Sequence, residues 1–124
     1  MKIVTIENLD TSAEQEVFDM ITNHLLTQNE KCIEDVNNDT NSCKYKLGHL
    51  KCAAGCLIPE DKYNYNFENK EWIVIANRLG LTQHEDLITS LQYIHDYYKV
   101  EEWRDCLINL AKQYNLKFNH ERII

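Results

Sequence analysis

Proline and glycine are scarce: one proline and three glycines punctuate 124 residues. Gly48, Gly55 and Pro59 share one short stretch, so the rest of the chain has few obligatory breaks and reads mostly as helices. Long apolar runs are missing too. None approaches the ~18–20 residues needed to cross a bilayer, and the opening residues lack the apolar core and small-residue cleavage site of a signal peptide. Positive charge is in deficit: 13 Lys and Arg face 20 Asp and Glu, for a formal net charge of -7. A general nucleic-acid binder needs a basic face to neutralise phosphates, which works against that class. There is no C-x2-C pair, no G-x-x-x-x-G-K-[ST] phosphate loop and no G-x-G-x-x-G fingerprint. Nor is there an internal repeat. The five cysteines are an odd number with no mark of export, which predicts reduced thiols and a cytoplasmic protein. Asn38-Asp39-Thr40 matches a glycosylation acceptor, but without export it carries no meaning.

What is present fits one domain over residues 1–124. A chain this long buries about two thirds of its unfolded surface, and a hydrophobic content of 44% supplies an ordinary core. Ile3, Val4 and Ile6 predict a short strand within 2–9. Thr11 with Glu14, or Ser12 with Gln15, forms a capping box ahead of Val17, Phe18, Ile21 and Leu25, which predicts a helix over 12–28. Residues 29–42 are polar and read as a surface loop, with Cys32, Ile33 and Val36 able to tack it to the core. Trp72, Ile75, Ala76 and Leu79 predict a helix over 69–79 that stops at Gly80. Thr82 and Glu85 cap the next stripe, which runs through Leu87, Ile88, Leu91, Ile94, His95 and Tyr98. Trp103, Cys106, Leu107, Leu110 and Ala111 define the last helix. Residues 116–124 form a tail that docks through Phe118 or frays. The expected fold is therefore mainly α (α+β), a single-domain bundle of about four helices with a short β-hairpin near the middle.

That middle is Cys43 to Pro59. Cys43-Lys44-Tyr45-Lys46 alternates like a strand, Leu47-Gly48-His49 reads as its turn, and Cys52 to Ile58 reads as a short, closely packed helix. Glycine at position 55 costs about 1 kcal/mol against alanine inside a helix, so it implies a gap into which another backbone fits. Cys43, His49, Cys52 and Cys56 are the candidate zinc ligands, because structural zinc takes four Cys or His groups at tetrahedral reach. Against zinc stand the irregular C-x8-C-x3-C spacing and the Ala and Leu neighbours, which suit cysteines packed as small hydrophobes. A nucleophilic Cys52, near His49 and Lys51, is a further alternative. Lys44, Lys46 and Lys51 concentrate positive charge in an acidic chain, and Tyr45, Tyr63 and Tyr65 offer stacking faces. With His49 they form a candidate ligand-binding set for a phosphorylated molecule. His24 and His95 fall on apolar stripes and read as hydrogen-bonded core histidines. Adjacent helical positions point apart, so Asp96 is not expected to orient His95. Trp72 and Trp103 read as core anchors, while Glu85-Asp86 and Glu101-Glu102 suit first helical turns.

Leu25-Leu26-Thr27-Gln28, Cys43-x-Tyr45, Leu50-Lys51-Cys52-Ala53-x-Gly55-Cys56-Leu57-Ile58-Pro59 and Leu91-Gln92-x-Ile94-His95-Asp96, with Trp103 after it, resemble a family of short uncharacterised bacterial, plasmid and phage proteins. The resemblance spans roughly residues 12–115. It implies one compact domain in a mobile-element setting and supplies no reaction. The family's glycine-containing turn before Leu-Lys-Cys is shorter here and contains His49. The sequence thus points to a non-enzymatic binding protein, without a cofactor, that occupies a host protein or sequesters a small phosphorylated or nucleotide signal. The alternatives are a zinc-stabilised interaction module or a cysteine-dependent enzyme. A homodimer through the last two helices is also compatible with the pattern.

Overall fold

The computed structural model describes residues 2–37 and 40–120. Among the described residues, four α-helices carry the fold: α1 (Glu14–Gln28), α2 (Trp72–Arg78), α3 (Glu85–Tyr97) and α4 (Trp103–Gln113). Between α1 and α2 lie two antiparallel hairpins, β1 (Ile33–Asn37) with β2 (Thr40–Cys43) and β3 (Lys46–Leu47) with β4 (Leu50–Lys51). This is the mainly α domain that the periodicity predicts.

Helix α3 is the centre of the bundle, packing against α1, α2 and α4. Its apolar stripe of Leu87, Ile88, Leu91 and Ile94 is buried, facing Phe18, Ile21 and Leu25 of α1 and Trp103, Leu107 and Leu110 of α4 in one core. Both tryptophans are core anchors, Trp72 at 3% and Trp103 at 0% exposure. Trp103 stacks on the buried His95 ring at 5.5 Å and donates its Nε1–H to the Tyr98 carbonyl. The tail docks as far as 120: Gln15 brackets the Lys117 backbone through two hydrogen bonds, and the Arg104 guanidinium lies over the Phe118 ring. Met1, Asn38, Asp39 and residues 121–124 lie outside the described residues.

Several local expectations are corrected. Residues 2–9 form no strand; Val4 is buried in an irregular segment that leads into a 3-10 turn at Leu9–Thr11. An isolated strand needs a partner, and the Ile6 N–H bonds instead to the Leu57 carbonyl. Neither capping box at α1 forms. Ser12 Oγ turns back to the Asn8 carbonyl, and Glu16 accepts from the Ala13 N–H, so the helix begins two residues later. At α3, Thr82 is tied by its backbone N–H to Asp10, and His84 occupies the helix entrance at φ 65°. The polar stretch 29–42 is a hairpin rather than a loop, in the register Ile33↔Cys43, Glu34↔Ser42 and Asp35↔Asn41. Residues 52–58 contain only a 3-10 turn, Gly55–Leu57, in place of a helix.

Glycine serves where the sequence demanded it. A Cβ on Gly55 would lie 2.1 Å from the Tyr45 carbonyl oxygen, so two backbones meet at a spot that no side chain can share. Gly48 turns β3 into β4 at φ 61°, and Gly80 ends α2 at φ 72°.

Candidate binding cleft

The stretch 43–59 is held in the molecule by polar side chains from distant elements. From α1, Gln28 donates to the Lys51 carbonyl and accepts from the Lys51 N–H, and His24 Nε2 lies 2.9 Å from the same carbonyl. From α3, Gln92 accepts from the Ala54 N–H at 2.9 Å. Before α2, the buried Glu68 carboxylate accepts from the Tyr45 and Lys46 N–H groups and from the Tyr63 hydroxyl at 2.6 Å. Apart from the Tyr63 hydroxyl, each of these bonds supplies a partner to a backbone group of the segment.

On α3 the network continues through Asp96. Its Oδ1 accepts from Gln92 at 2.8 Å and from His95 Nδ1 at 2.7 Å, and the Cys43 sulfur lies within 4.8 Å of its carboxylate. The engagement of His95 by Asp96 corrects the sequence expectation. Adjacent Cβ atoms do diverge, but both side chains sit in the last turn of α3, where the imidazole edge and the carboxylate can bend toward one another. His95 Nε2 accepts from the Cys32 N–H at 3.0 Å, so the ring's proton sits on Nδ1, facing Asp96.

Asp96 also lies on the wall of a cleft of about 630 Å³. One side is α3, through Glu85, Asp86, Thr89, Gln92, Tyr93 and Tyr97. Opposite stand Cys43, Lys44 and Tyr45 from the end of β2 and Asn69 to Ile73 at the start of α2. Tyr93 and Tyr97 are 53% and 72% exposed, with ring centroids 4.6 Å apart, and Tyr98 joins Tyr93 edge-on at 6.1 Å. Thr89 and Tyr93 also line a groove of about 450 Å³ between α3 and α4, near Cys106 and Leu110.

The predicted binding residues divide between two places. Lys44 and Tyr45 line the cleft, but Lys44 pairs with Glu34 at 3.6 Å and Tyr45 is buried, its hydroxyl donating to the Lys70 carbonyl at 2.6 Å. Lys46 and Lys51 gather around Glu60 at 2.9 and 3.6 Å, with Lys46 over the Tyr63 ring. Their charge is answered by Glu60, itself held below the usual carboxylate range by Lys46 and then by Lys51. His49 is exposed at the β3–β4 turn, and Tyr65 is exposed on the 3-10 turn Tyr65–Phe67. The seven residues do not converge on one pocket. Sequence reasoning missed Glu68, Gln92, Tyr93 and Asp96. A signal did exist on α3: Glu85, Thr89, Gln92, Tyr93 and Asp96 form a polar stripe at helical spacing beside the apolar one.

The cysteines are thiols at neutral pH. Burial pushes Cys32 and Cys56 up to about 12 and raises the buried Cys52 well above its ordinary value. Burial also raises Cys43 to about 11, with the Asp96 charge adding to it. A thiolate nucleophile needs the opposite environment. Cys52 lies within the core, where its sulfur accepts from the Gly55 N–H, and Cys56 donates to the Ala53 carbonyl. Among the described residues, Cys43, His49, Cys52 and Cys56 are not brought within ligating distance of one another; Cys43, His95 and Asp96 are, with donor atoms within 4.8 Å. This second trio suits a metal poorly. A ligating histidine binds through one nitrogen and donates the other N–H to an acceptor. Here the Cys32 N–H already occupies Nε2, so metal at Nδ1 would require an imidazolate or an orphaned backbone donor.

Fold and cleft define a small mainly α domain with a side-chain-lined surface site. No protein-family model, curated protein or solved structure gives a significant match to this chain.

Proposed function

We propose that this is a non-enzymatic binding protein that acts by occupying a target through the tyrosine-flanked cleft on α3. The observation that carries this reading is the exposed trio Tyr93, Tyr97 and Tyr98 beside a cleft of ligand-binding size, on a helix whose apolar stripe is already buried. Tyrosine is enriched at interfaces because it gives a large contact area with little conformational freedom to lose. The target favoured by this arrangement is a protein rather than a phosphorylated molecule. A phosphate in the cleft would meet four carboxylates, and the lysines of the β3–β4 hairpin are already paired with Glu60. The mobile-element resemblance makes a host protein the natural target class.

A photo-crosslinking residue placed at Tyr97 in producing cells tests this, with the same residue at exposed Tyr65 as control. A protein-sized adduct specific to position 97 is expected, and Tyr97→Ala together with Tyr93→Ala weakens that association by roughly tenfold or more. The reading fails if position 97 gives no specific adduct while the purified protein retains a nucleotide-sized ligand by native mass spectrometry. An adduct of twice the chain mass would identify the target as a second copy of this protein.

A further inference from the structure

The cleft has a definite charge and shape, and these select among possible occupants. Four carboxylates line it, from Glu71, Glu85, Asp86 and Asp96, against the two ammonium groups of Lys44 and Lys70. Lys44 is answered by Glu34, which is not part of the lining. Among the described residues, Glu71, Glu85 and Asp86 have no Lys or Arg within salt-bridge distance. The N-termini of α2 and α3 contribute partial positive charge of about half a unit each, which offsets the acidic excess only in part. The wall also presents the exposed aromatic faces of Tyr93 and Tyr97.

Trp72 lines the same cleft but is only 3% exposed, and its Nε1–H, which has no acceptor among the described residues, is closed off from the surface, so the residue marks the cleft wall rather than a contact for an occupant. An occupant matched to this cleft carries a cation for the carboxylates and the tyrosine faces. A basic side chain of a polypeptide supplies it.

We propose that the cleft receives a lysine or arginine side chain of a partner polypeptide. This rests on the reading of the protein as a target binder and names the chemistry of that target. A guanidinium or ammonium group over Tyr93 and Tyr97 gains from the ring quadrupoles as well as from Glu85 and Asp86. The volume, about 630 Å³, falls within the range of ligand pockets and leaves room for backbone beside one long side chain. A phosphate or an acidic peptide is repelled by the same groups.

The test titrates the full-length protein with three blocked pentapeptides that carry a central arginine, glutamine or glutamate in a glycine context, followed by two-dimensional NMR. The arginine peptide is expected to move amides within 85–97, leaving the Trp103 indole, bonded to Tyr98, in place. Binding should weaken roughly tenfold between low and ~0.5 M salt. A Glu85→Gln, Asp86→Asn double variant, checked for native spectra, should weaken it by a similar factor. The proposal is overturned if the arginine peptide leaves the amides within 85–97 unmoved at ~5 mM, or if glutamine and glutamate peptides bind as well. It is overturned equally if salt and the double variant have no effect. A partner captured at Tyr97 that inserts no basic residue would defeat this inference and leave the binding reading standing. Failure of the Tyr97 crosslink, with the arginine peptide still bound, would do the reverse.

Discussion

Two regions of this small protein are held together by different physics. The helical layer of α1, α3 and α4 is closed by apolar stripes, with Phe18, Ile21, Leu91, Trp103 and Leu107 at 0% exposure. The central segment from Cys43 to Pro59 has little regular structure; it too buries Cys52, Ala53, Ala54, Leu57 and Ile58 in the core, but its backbone is fixed by hydrogen bonds from Gln28, Glu68 and Gln92. Apolar contact is non-directional and spread over many atoms, whereas each polar tether satisfies one particular backbone group. The helical layer should therefore tolerate a change of shape at moderate cost. The central segment should fail wherever a single atom is misplaced.

Gly55 tests the second half of that statement most severely. Gly55→Ala places a methyl group 2.1 Å from the Tyr45 carbonyl oxygen, where backbone would have to move. The expected loss is about 3 kcal/mol or more, at the upper end for overpacking, read as a collapse of the urea midpoint or as failure to fold. Gly48→Ala is the control: its Cβ meets nothing within 4 Å and only its positive φ is strained. It should cost about 1 kcal/mol. Equal effects at the two glycines would remove the case for a tightly fitted central segment.

Neighbours on α3 sharpen the contrast. Leu91→Ala opens a cavity in the shared core and should cost roughly 2–5 kcal/mol, lowering hydrogen-exchange protection across α1, α3 and α4 together. Gln92→Ala leaves the Ala54 N–H unpartnered and should cost roughly 1–3 kcal/mol. Its signature is local: exchange should quicken at Ala54 and its neighbours while α1 and α4 keep their protection. A Gln92→Ala variant that loosens the whole bundle would show that the tethers and the core form one cooperative unit.

This contrast also separates what was legible in the sequence from what was not. Helices α3 and α4 were readable because burial by an apolar stripe leaves a 3.6-residue period in the chain. The need for glycine at 55 was readable because glycine there had no other physical excuse. The β1–β2 hairpin was not readable, since its asparagine and aspartate content matches a loop and its pairing comes from register rather than propensity. Residues 52–58 were misread as a helix because small apolar residues suit any buried backbone. The Gln92–Asp96–His95 chain joins α3 to Cys32 and Ala54, 63 and 38 residues away, and no local pattern announces such a bond. Of the candidate cleft, the sequence marks only Lys44 and Tyr45 as binding residues; Cys43 and Cys52 read there as possible metal ligands, Trp72 as core, and Glu85 and Asp86 as a helix start.

Alkaline pH distinguishes the regions by a different property, because the buried thiols are concentrated in and around the central segment. Cys32, Cys52 and Cys56 hold their protons above the ordinary value of 9.0, to about 12 for Cys32 and Cys56, with burial as the main cause. Below pH ~9 folded and unfolded chains are both protonated and the thiols leave stability unchanged with pH. Above it the unfolded chain releases protons first, so stability falls with rising pH, by up to ~1.4 kcal/mol per thiol per unit. On the acid side His24 acts in the opposite sense. Burial lowers its affinity for a proton, so stability falls as pH drops below the ordinary value of 6.5. Urea unfolding at pH 7 and pH 10 should show the alkaline loss, and Cys56→Ala should reduce the slope. A flat profile to pH 10 would mean that these thiols are open to water.

The smallest expected change in stability belongs to the cleft rim. Tyr97 is 72% exposed and contributes its ring to a neighbouring tyrosine on the surface rather than to the core. Tyr97→Ala should therefore shift unfolding by within about 0.5 kcal/mol, less than any change in the core or at the tethers. Large aromatic side chains that the fold does not need are the residues from which interface energy is drawn. If Tyr97→Ala is silent in unfolding but abolishes target capture, the surface of α3 is a third region, built for contact rather than for folding. If it destabilises the protein as strongly as Gln92→Ala does, the tyrosine trio belongs to the scaffold, and the cleft loses its strongest claim to be a binding site.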